Sequence, residues 1–426
     1  MSSKLLRTIE KYAQYHPTAL SLQNFIEFGA KAGSGTGVFL PHETHRIDKD
    51  TGKVEACNKT SVKFLKKEIP VRLANILEEL KHLPKPLLKS PSMRRITQWY
   101  QQSFEEVIEY ENADGENRDV QMQFSETLSS IARRHATVVE TTAEGVMEYR
   151  DLHQNDSSAN YQNIQYFLDR FYMSRISIRM LINQHTMLFG DDLPKSPTHI
   201  GCIDPKCDVL SVAKDSYANA KFLCEQYYMT SPSVEYTTIN PYGPDSSTSI
   251  NLVYVPSHLY YILFELFKNS MRAVVEKNRD EDNDNFEPIK CLICRGHEDV
   301  VIRISDMGGG IRRSQTHMLF NYMYSTAPRP SMQSGSVSAP LAGYGYGLPV
   351  SRLYARYLNG DLNVVTIDGY GTDAIVTLKL LSSQANELLP IYTATTSKQY
   401  KSEIPVADWS SSYPSRNNNK RPNDST

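Results

Sequence analysis

The first half of the chain shows the hydrophobic periodicity of α-helices. Apolar residues recur every three or four positions through four long segments, with few runs of β-branched residues. Residues that break or cap helices, at Ser90-Pro91-Ser92 and at 155–158, separate some of these segments. Long helices with short connections predict an antiparallel four-helix bundle. The segments are 61–81, 92–111, 117–150 and 159–189.

The pattern changes after residue 190. Residues 191–205 are rich in Asp, Pro, Ser and Gly, as is typical of a domain boundary. Strand-like and helical runs then alternate, which predicts an α/β domain and an overall fold class of α plus α/β. The chain after Pro390 is polar, so the expected domains are 1–190, 191–390 and a tail at 391–426. The predicted strands are 249–255, 287–294, 299–305, 362–367 and 373–380, and the predicted helices are 209–229, 257–277 and 347–358.

Composition excludes two classes of protein. In 426 residues, 46 Lys and Arg oppose 48 Asp and Glu, so the formal net charge is −2. A nucleic-acid binder that works by bulk charge would be strongly basic, and we expect no such partner. The longest uncharged stretch, 246–264, contains Pro256 and many hydroxyl groups, so we expect no insertion into a membrane.

Six cysteines in so long a chain do not indicate a dense disulfide framework, so a reducing compartment is favoured. Cys291 and Cys294 form a CxxC within a predicted strand. Residues three apart on a strand point to opposite faces, so these two cannot share one metal ion. They are interpreted as structural thiols.

The predicted helix at 257–277 combines an apolar stripe with a polar row. Glu265, Asn269 and Arg272 lie at i, i+4 and i+7, on one side of the helix. Taken alone, this row is best explained as a solvated face. Asparagine is, however, a poor helix former, and its amide oxygen is able to ligate Mg²⁺.

Two glycine-rich turns follow this helix. Asp306-Met-Gly-Gly-Gly310 comes after a predicted strand, and its glycines allow backbone to approach a flat ligand. Gly343-Tyr-Gly-Tyr-Gly-Leu348 leads into a helix, whose free N–H groups are a ready phosphate site. Gly371-Thr372 precedes the last strand. Each turn alone is a weak indication of a binding site.

Other nucleotide sites are excluded by missing motifs. The chain has no GxxxxGK[ST], no HRD and no DFG, so neither a Walker loop nor an ordinary protein-kinase lobe is present. A dinucleotide-binding fingerprint requires a strand directly before its glycines, and the glycine loop at 343 follows no predicted strand.

The order of these motifs carries more information than each motif. An Asn-bearing helix, then Asp-x-Gly-x-Gly, then Gly-x-Gly-x-Gly-Leu, then Gly-Thr resembles the ATPase superfamily of histidine kinases, large heat-shock chaperones, type II topoisomerases and mismatch-repair ATPases, called GHKL. The segments Leu65–Ile76, Tyr166–Met180, Phe264–Ala273 and Phe320–Pro328 closely resemble the mitochondrial pyruvate dehydrogenase kinases. The resemblance implies a four-helix bundle followed by a GHKL (Bergerat) α/β sandwich that binds ATP.

The resemblance also implies roles for individual residues. Glu265 is the expected general base for a substrate serine, Asn269 the expected Mg²⁺ ligand, and Asp306 the expected acceptor for the adenine amino group. Such a site transfers phosphate by positioning and charge neutralisation. The implied ATP site comprises Glu265, Asn269, Arg272, Asp306, Gly308, Gly310, Ser325, Thr326, Gly343, Tyr344, Gly345, Tyr346, Gly347, Leu348 and Thr372.

In the bundle, the resemblance implies a pocket for pyruvate-like acids. Arg175 and Arg179 lie four apart on one helix and are able to hold a carboxylate. The structural alternative is that these arginines pair with bundle acids such as Asp169. The pocket residues would be Tyr100, His135, Ser174, Arg175 and Arg179.

The resemblance further implies partners and a compartment. The bundle is expected to dock the lipoyl domain of the E2 acetyltransferase core, and Asp408-Trp409 matches a tail motif that crosses to the other subunit of a homodimer. The expected location is the mitochondrial matrix. The basic, acid-free first nine residues are weakly like the end of a presequence.

The sequence departs from the family in three places. Tyr261 stands where many relatives carry a histidine one turn before the base, and Met307 stands where an arginine is common. A phenol is able to hydrogen-bond Glu265 but does not become cationic, so the base is expected to be tuned differently. A Gly-rich insertion at 30–57 is expected to form a loop between helices.

The sequence therefore predicts an ATP-dependent serine kinase that phosphorylates and inactivates the E1 alpha subunit of the pyruvate dehydrogenase complex. One alternative is the branched-chain 2-oxoacid dehydrogenase kinase, and another is a catalytically weak scaffold that binds the lipoyl core. A two-component histidine kinase is disfavoured, because no phospho-accepting histidine helix and no receiver domain are found in the sequence.

Overall fold

The computed structural model describes residues 3–34, 55–153, 158–190, 198–243, 249–278, 286–326, 345–393 and 396. Its first part is helical and its second part is an α/β sheet domain, as predicted. The helices of the first part are α1 (Ser3–Tyr12), α2 (Leu22–Ser34), α3 (Glu55–Leu80), α4 (Lys85–Lys89), α5 (Pro91–Ile108), α6 (Arg118–Arg134), α7 (Val138–Leu152) and α8 (Ser158–Phe189).

The bundle differs from the prediction in one of its four segments. The stretch 117–150 is not one helix, because it breaks after Arg134 into α6 and α7. No Gly or Pro marks the break in the sequence. It lies where Arg175 of α8 donates to the carbonyls of His135 and Ala136, at 3.2 and 3.4 Å. A guanidinium that caps carbonyls is a tertiary signal to end a helix.

The predicted loop at 30–57 is wrong at both ends. Residues 30–34 continue α2, and residues 55–57 begin α3. The rest of that insertion, 35–54, lies outside the described residues. Residues 191–197 of the predicted boundary at 191–205 also lie outside the described residues, and so does the whole tail motif Asp408-Trp409.

The second part is a five-stranded sheet in the order β2-β4-β5-β7-β6, with β1 paired to β3 in a separate ribbon. β2 is parallel to β4, and the other neighbours are antiparallel. The elements are β1 (Asp204–Asp208), α9 (Val209–Tyr228), β2 (Val234–Ile239), β3 (Asn251–Tyr254), α10 (Pro256–Lys277), β4 (Ile289–Arg295), β5 (Asp299–Asp306), α11 (Gly347–Tyr357), β6 (Asp361–Ile367) and β7 (Gly371–Lys379).

The five predicted strands and three predicted helices of this part are present within a few residues of their expected ends. Two strands were missed. β1 has the polar sequence DPKCD and is extended because it pairs with β3. β2 has the sequence VEYTTI, whose β-branched residues and alternation are a strand signal that sequence reasoning could have used.

Strand burial follows the two-residue period. Along β4, Cys291 is buried on the helix-covered face, whereas Cys294 is half-buried. Within the described residues, no group of three or more His, Cys, Asp or Glu side chains is placed to hold a metal ion. The different burial of Cys291 and Cys294 is the alternation expected of residues three apart on a strand.

No helix in the described part of the chain is both long and apolar enough to cross a bilayer.

Candidate functional site

A cavity of about 920 Å³ opens between α10, the sheet and the start of α11. It gathers residues that are separated by more than 100 positions in the sequence. Thirteen of the predicted ATP-site residues line it, namely Glu265, Asn269, Arg272, Asp306, Gly308, Gly310, Ser325, Thr326, Gly345, Tyr346, Gly347, Leu348 and Thr372. The other two, Gly343 and Tyr344, lie outside the described residues.

Helix α10 presents the polar row of the site. Its apolar stripe, which includes Leu263 and Phe267, is buried, and this fixes the opposite side towards the cavity. Glu265 pairs with Lys268, whose Nζ lies 2.8 Å from Oε1. Both side chains are largely buried, at 15% and 13% exposure, so water screens the pair only partly. Lys268 was missed from the sequence, although its i+3 spacing from Glu265 could have indicated it.

The start of α11 touches the same carboxylate. A Cβ at Gly347 would come within 2.2 Å of Oε2 of Glu265, so only glycine fits there without a shift. The first N–H groups of a helix carry partial positive charge and favour anions. The Glu265 carboxylate thus lies against the partly positive N-terminal end of α11.

The far end of the cavity is built around Asp306, at the end of β5. Its side chain is 7% exposed, and its Oδ1 accepts a hydrogen bond of 2.9 Å from the amide of Gly308. Burial raises the pKa of Asp306 above its usual value, although this amide favours the ionised form. A buried carboxylate with a remaining lone pair is a strong acceptor for an amino group.

The glycines after Asp306 are required by close approaches. A Cβ at Gly308 would lie 2.5 Å from the Cβ of Ala273, and Gly310 has φ +69° against the carbonyl of Ile367. Thr372 lies opposite Asp306 on β7, and its hydroxyl is 3.2 Å from that of Thr366. Gly308 and Gly310 therefore present backbone rather than side chains to the cavity, which would allow a planar ligand to approach closely.

Arg272 joins α10 to the segment that carries Ser325 and Thr326. Its Nη2 donates to Oγ1 of Thr326, and its Nε lies 3.3 Å from Oε2 of Glu276. Tyr228 of α9 donates to the other oxygen of Glu276 at 2.7 Å. The cationic end of Arg272 is therefore held at the cavity wall rather than free to swing away.

Two of the three departures from the family pattern, Tyr261 and Met307, lie in the described part of the chain. In the described part of the chain, the hydroxyl of Tyr261 forms no hydrogen bond with Glu265, and its ring packs against Tyr354 at 5.0 Å between centroids. Burial, and next the Glu265 charge, raise the pKa of Tyr261 far above its usual value. At Met307, the backbone carbonyl accepts from Lys277 at 2.8 Å, and nothing in the structure explains the loss of the arginine.

Residues of the predicted acid pocket lie near one another in the bundle. The ring of Tyr100 stacks on that of His135 at 4.4 Å, and Ser103 lies 3.0 Å from its Nε2. Burial lowers the pKa of His135 to about 3, so its ring is neutral near pH 7. Arg175, Ser174 and Arg179 come from α8 beside it.

The alternative pairing of these arginines with Asp169 is not found. Asp169 instead accepts from the hydroxyl of Tyr322 at 2.8 Å. Among the described residues, no carboxylate lies within 4.0 Å of Arg175 or Arg179, and Arg179 donates to the carbonyl of Ala132 at 3.2 Å. Nε of Arg175 and the hydroxyl of Tyr100 are buried without a hydrogen-bond partner. A buried cation with unused donors suits an anionic ligand.

Two family models match the chain. One, described as mitochondrial branched-chain alpha-ketoacid dehydrogenase kinase, matches residues 19–204. The other, described as histidine kinase-, DNA gyrase B- and HSP90-like ATPase, matches residues 254–382, which contain the cavity.

Similarity to whole proteins extends over nearly the full chain. A mitochondrial [pyruvate dehydrogenase (acetyl-transferring)] kinase of Drosophila melanogaster is 49% identical over 409 residues, which is 96% of this chain and 92% of the relative. The corresponding kinase of Ascaris suum is 48% identical over 98% of this chain and 96% of the relative. Isozyme 3 of Homo sapiens is 48% identical over 95% of this chain and 93% of the relative. The chain therefore belongs to the mitochondrial pyruvate dehydrogenase kinase family.

Proposed function

We propose that the protein transfers the terminal phosphate of ATP to a serine of the E1 alpha subunit of pyruvate dehydrogenase and thereby inactivates it. The main observation in support is the position of Glu265, whose carboxylate lines the cavity beside the first residue of α11. A serine hydroxyl is a weak nucleophile, and a carboxylate within reach takes its proton as the phosphate is transferred.

The two ends of the cavity fit the two ends of the nucleotide. Adenine would donate its amino group to Asp306 and lie on Gly308 and Gly310, with Thr372 at its edge. The phosphates would then reach the helix start at Gly347, where N–H groups bind anions. Arg272, Ser325, Thr326, Gly343, Tyr344, Gly345, Tyr346 and Leu348 complete the proposed nucleotide site.

A Mg²⁺ site is proposed at Asn269. Its side chain is exposed towards the cavity and forms no hydrogen bond in the described part of the chain, so its amide oxygen is available. One protein oxygen, with phosphates and water completing the shell, is the usual pattern for this ion. When bound, Mg²⁺ neutralises phosphate charge.

We further propose that the bundle pocket binds pyruvate-like acids. Among the described residues, Arg175 and Arg179 donate to backbone carbonyls and have no acidic partner, so a small carboxylate would supply the missing charge. The hydroxyls of Tyr100 and Ser174 and the neutral ring of His135 would complete its hydrogen bonds.

A homodimer, docking to the lipoyl domain of the E2 core, and a location in the mitochondrial matrix are proposed with this function. The relatives' names support the mitochondrion. The edge of the sheet supports self-association, because β6 is its last strand among the described residues and Val365 and Ile367 are exposed on it.

The test is phosphate transfer from labelled ATP to two purified substrates, pyruvate dehydrogenase E1 and the branched-chain E1. We expect the wild-type protein to label the pyruvate enzyme. Glu265→Gln should transfer phosphate about 10²–10⁴-fold more slowly, which is the loss of rate expected when a general base is removed. Glu235→Gln, an exposed carboxylate on β2, is the matched control.

Each other outcome decides against the proposal. Label on the branched-chain E1 alone would assign the chain to that substrate, whose kinase gives its name to the model matching residues 19–204. Equal activity of wild type and Glu265→Gln would mean that Glu265 is not the base. No label on either substrate would favour a scaffold.

A further inference from the structure

Glu387, in the segment after β7, has a fully buried carboxylate that accepts four hydrogen bonds. Arg72 of α3 donates two of them, from Nη1 at 2.8 Å and Nη2 at 3.0 Å. The amide of Leu20 donates a third at 2.9 Å, and the hydroxyl of Tyr357 donates the fourth. The four donors come from three separate parts of the chain.

Arg72 is equally well held on the side of the bundle. Its Nε donates to Oε1 of Glu68 at 2.9 Å, and its Nη2 also donates to the carbonyl of Thr18 at 2.8 Å. The Arg72 side chain is 2% exposed. A buried ion pair of this kind adds little net stability over an apolar pair of the same shape, but it fixes one geometry.

Tyr357 carries this fixed geometry to the catalytic side. It is the last residue of α11, and its backbone carbonyl also accepts from the amide of Leu388 at 2.8 Å. Burial, and next the Glu387 charge, raise the pKa of Tyr357 well above its usual value, so its hydroxyl stays a donor. The first residue of the same helix is Gly347, which lies against Glu265.

We propose that Tyr357 and Glu387 are positioning residues for phosphate transfer. Their contact with Arg72 fixes the far end of α11 to the bundle, so that the near end stays seated against the carboxylate of Glu265. A helix of 11 residues spans about 16 Å and moves as one rigid body. A displacement of Tyr357 would therefore also displace Gly347. This inference rests on the proposed role of Glu265.

The first test is Tyr357→Phe in the full-length protein, which removes one hydroxyl and no ring. Tyr217→Phe is the matched control, because the Tyr217 hydroxyl donates to the carbonyl of Pro232, away from α11. For Tyr357→Phe we expect kcat to fall roughly tenfold. This is less than the roughly 100-fold loss that a 1 Å misplacement of a reacting group causes. The dissociation constant for ADP stays close to the wild-type value, since Asp306 is untouched. Tyr217→Phe keeps the wild-type kcat.

The second test needs no protein substrate. Amide hydrogen exchange at residues 350–353 of α11, which begin with the Val350 amide that donates to the carbonyl of Tyr346 at 3.0 Å, should be faster in Tyr357→Phe and in Glu387→Gln than in wild type, and unchanged in Tyr217→Phe. Unchanged kcat and unchanged exchange in Tyr357→Phe would overturn the positioning role. A fall in kcat that is fully explained by the fraction of unfolded protein would also overturn the positioning role. If wild type itself does not phosphorylate pyruvate dehydrogenase, the proposed function fails and the exchange result alone decides this inference.

Discussion

Nζ of Lys268 lies 2.8 Å from Oε1 of Glu265, almost one helical turn further along α10. Oε2 of the same carboxylate faces Gly347 at the start of α11. The proposed base is therefore held from one side by a cation and from the other by a helix start. The orientation of the Glu265 carboxylate is therefore set by the Lys268 ammonium and by the backbone at Gly347.

Replacing Lys268 by Met should lower kcat about tenfold, which corresponds to about 1.4 kcal/mol of lost orientation. The pair is largely buried, so its loss is felt more than that of a surface pair. Lys268→Arg should recover part of the rate. Lys290→Met, on the exposed side of β4, is the control. A wild-type rate for Lys268→Met would show that the cation does not orient the base.

Gly347→Ala should slow phosphate transfer by at least about 100-fold, because a methyl group there displaces the carboxylate of Glu265. Its Cβ would come 2.2 Å from Oε2 and 3.0 Å from Cδ. Binding of ADP, measured by calorimetry, should persist. Gly115→Ala serves as the control, since its Cβ would make ordinary contact with Lys63 at 3.4 Å. Near-normal turnover of Gly347→Ala would mean that Glu265 works equally well when displaced.

Asp306→Asn should weaken ADP binding while leaving the ligand-free protein at least as stable. Burial raises the pKa of Asp306, so ionisation disfavours the folded state, and the free energy of unfolding falls as pH rises through the raised value. Asparagine removes that cost at neutral pH. The measurement is the melting temperature with and without ADP. A stabilisation by ADP as large as in wild type would exclude Asp306 from the adenine site.

Tyr261→His should add an ionisation near neutral pH to the profile of kcat against pH. Burial and the Glu265 charge keep the pKa of Tyr261 far above its usual value, so the wild-type side chain stays neutral at every assay pH. A histidine beside the same carboxylate titrates in that range. Tyr227→His, at an exposed position of α9, is the control. Identical profiles for Tyr261→His and wild type would contradict this expectation.

Pyruvate binding to the bundle pocket should be independent of pH between about 6 and 8. Burial lowers the pKa of His135 to about 3, so this ring does not titrate in the range, and the attraction comes from Arg175 and Arg179. Calorimetry at three pH values tests the point. Arg175→Gln should abolish the binding heat. An affinity that rises steeply towards pH 6 would assign the attraction to a protonated His135 instead.

Sequence periodicity predicted most of the secondary structure, and its failures have identifiable causes. Strand β1 is polar and extended only because β3 pairs with it. The break after Arg134 has no local signal, since Arg175, about 40 residues later, caps the carbonyls there. Local propensity cannot report a partner that is distant in the chain.

The candidate site shows the same division. Asp306 and Glu265 were identified by their places in the motif series of the family that the sequence resembles, and their proposed roles are adenine recognition and proton abstraction. Lys268 lies within the family-like segment Phe264–Ala273, but the resemblance gave it no role, and Tyr357 lies in none of the quoted segments. Their proposed roles follow from a side-chain contact and a buried network.

The sequence by itself determined the class of fold, the family and the chemical groups of the site, since these depend on residue type and short spacing. Only the tertiary structure decided which groups touch. It placed Gly347 against Glu265, left Arg175 and Arg179 without a carboxylate partner within the described part of the chain, and joined Tyr357 to Arg72 through Glu387. The physical reason is that contacts across long separations depend on packing of whole elements, which no local pattern encodes.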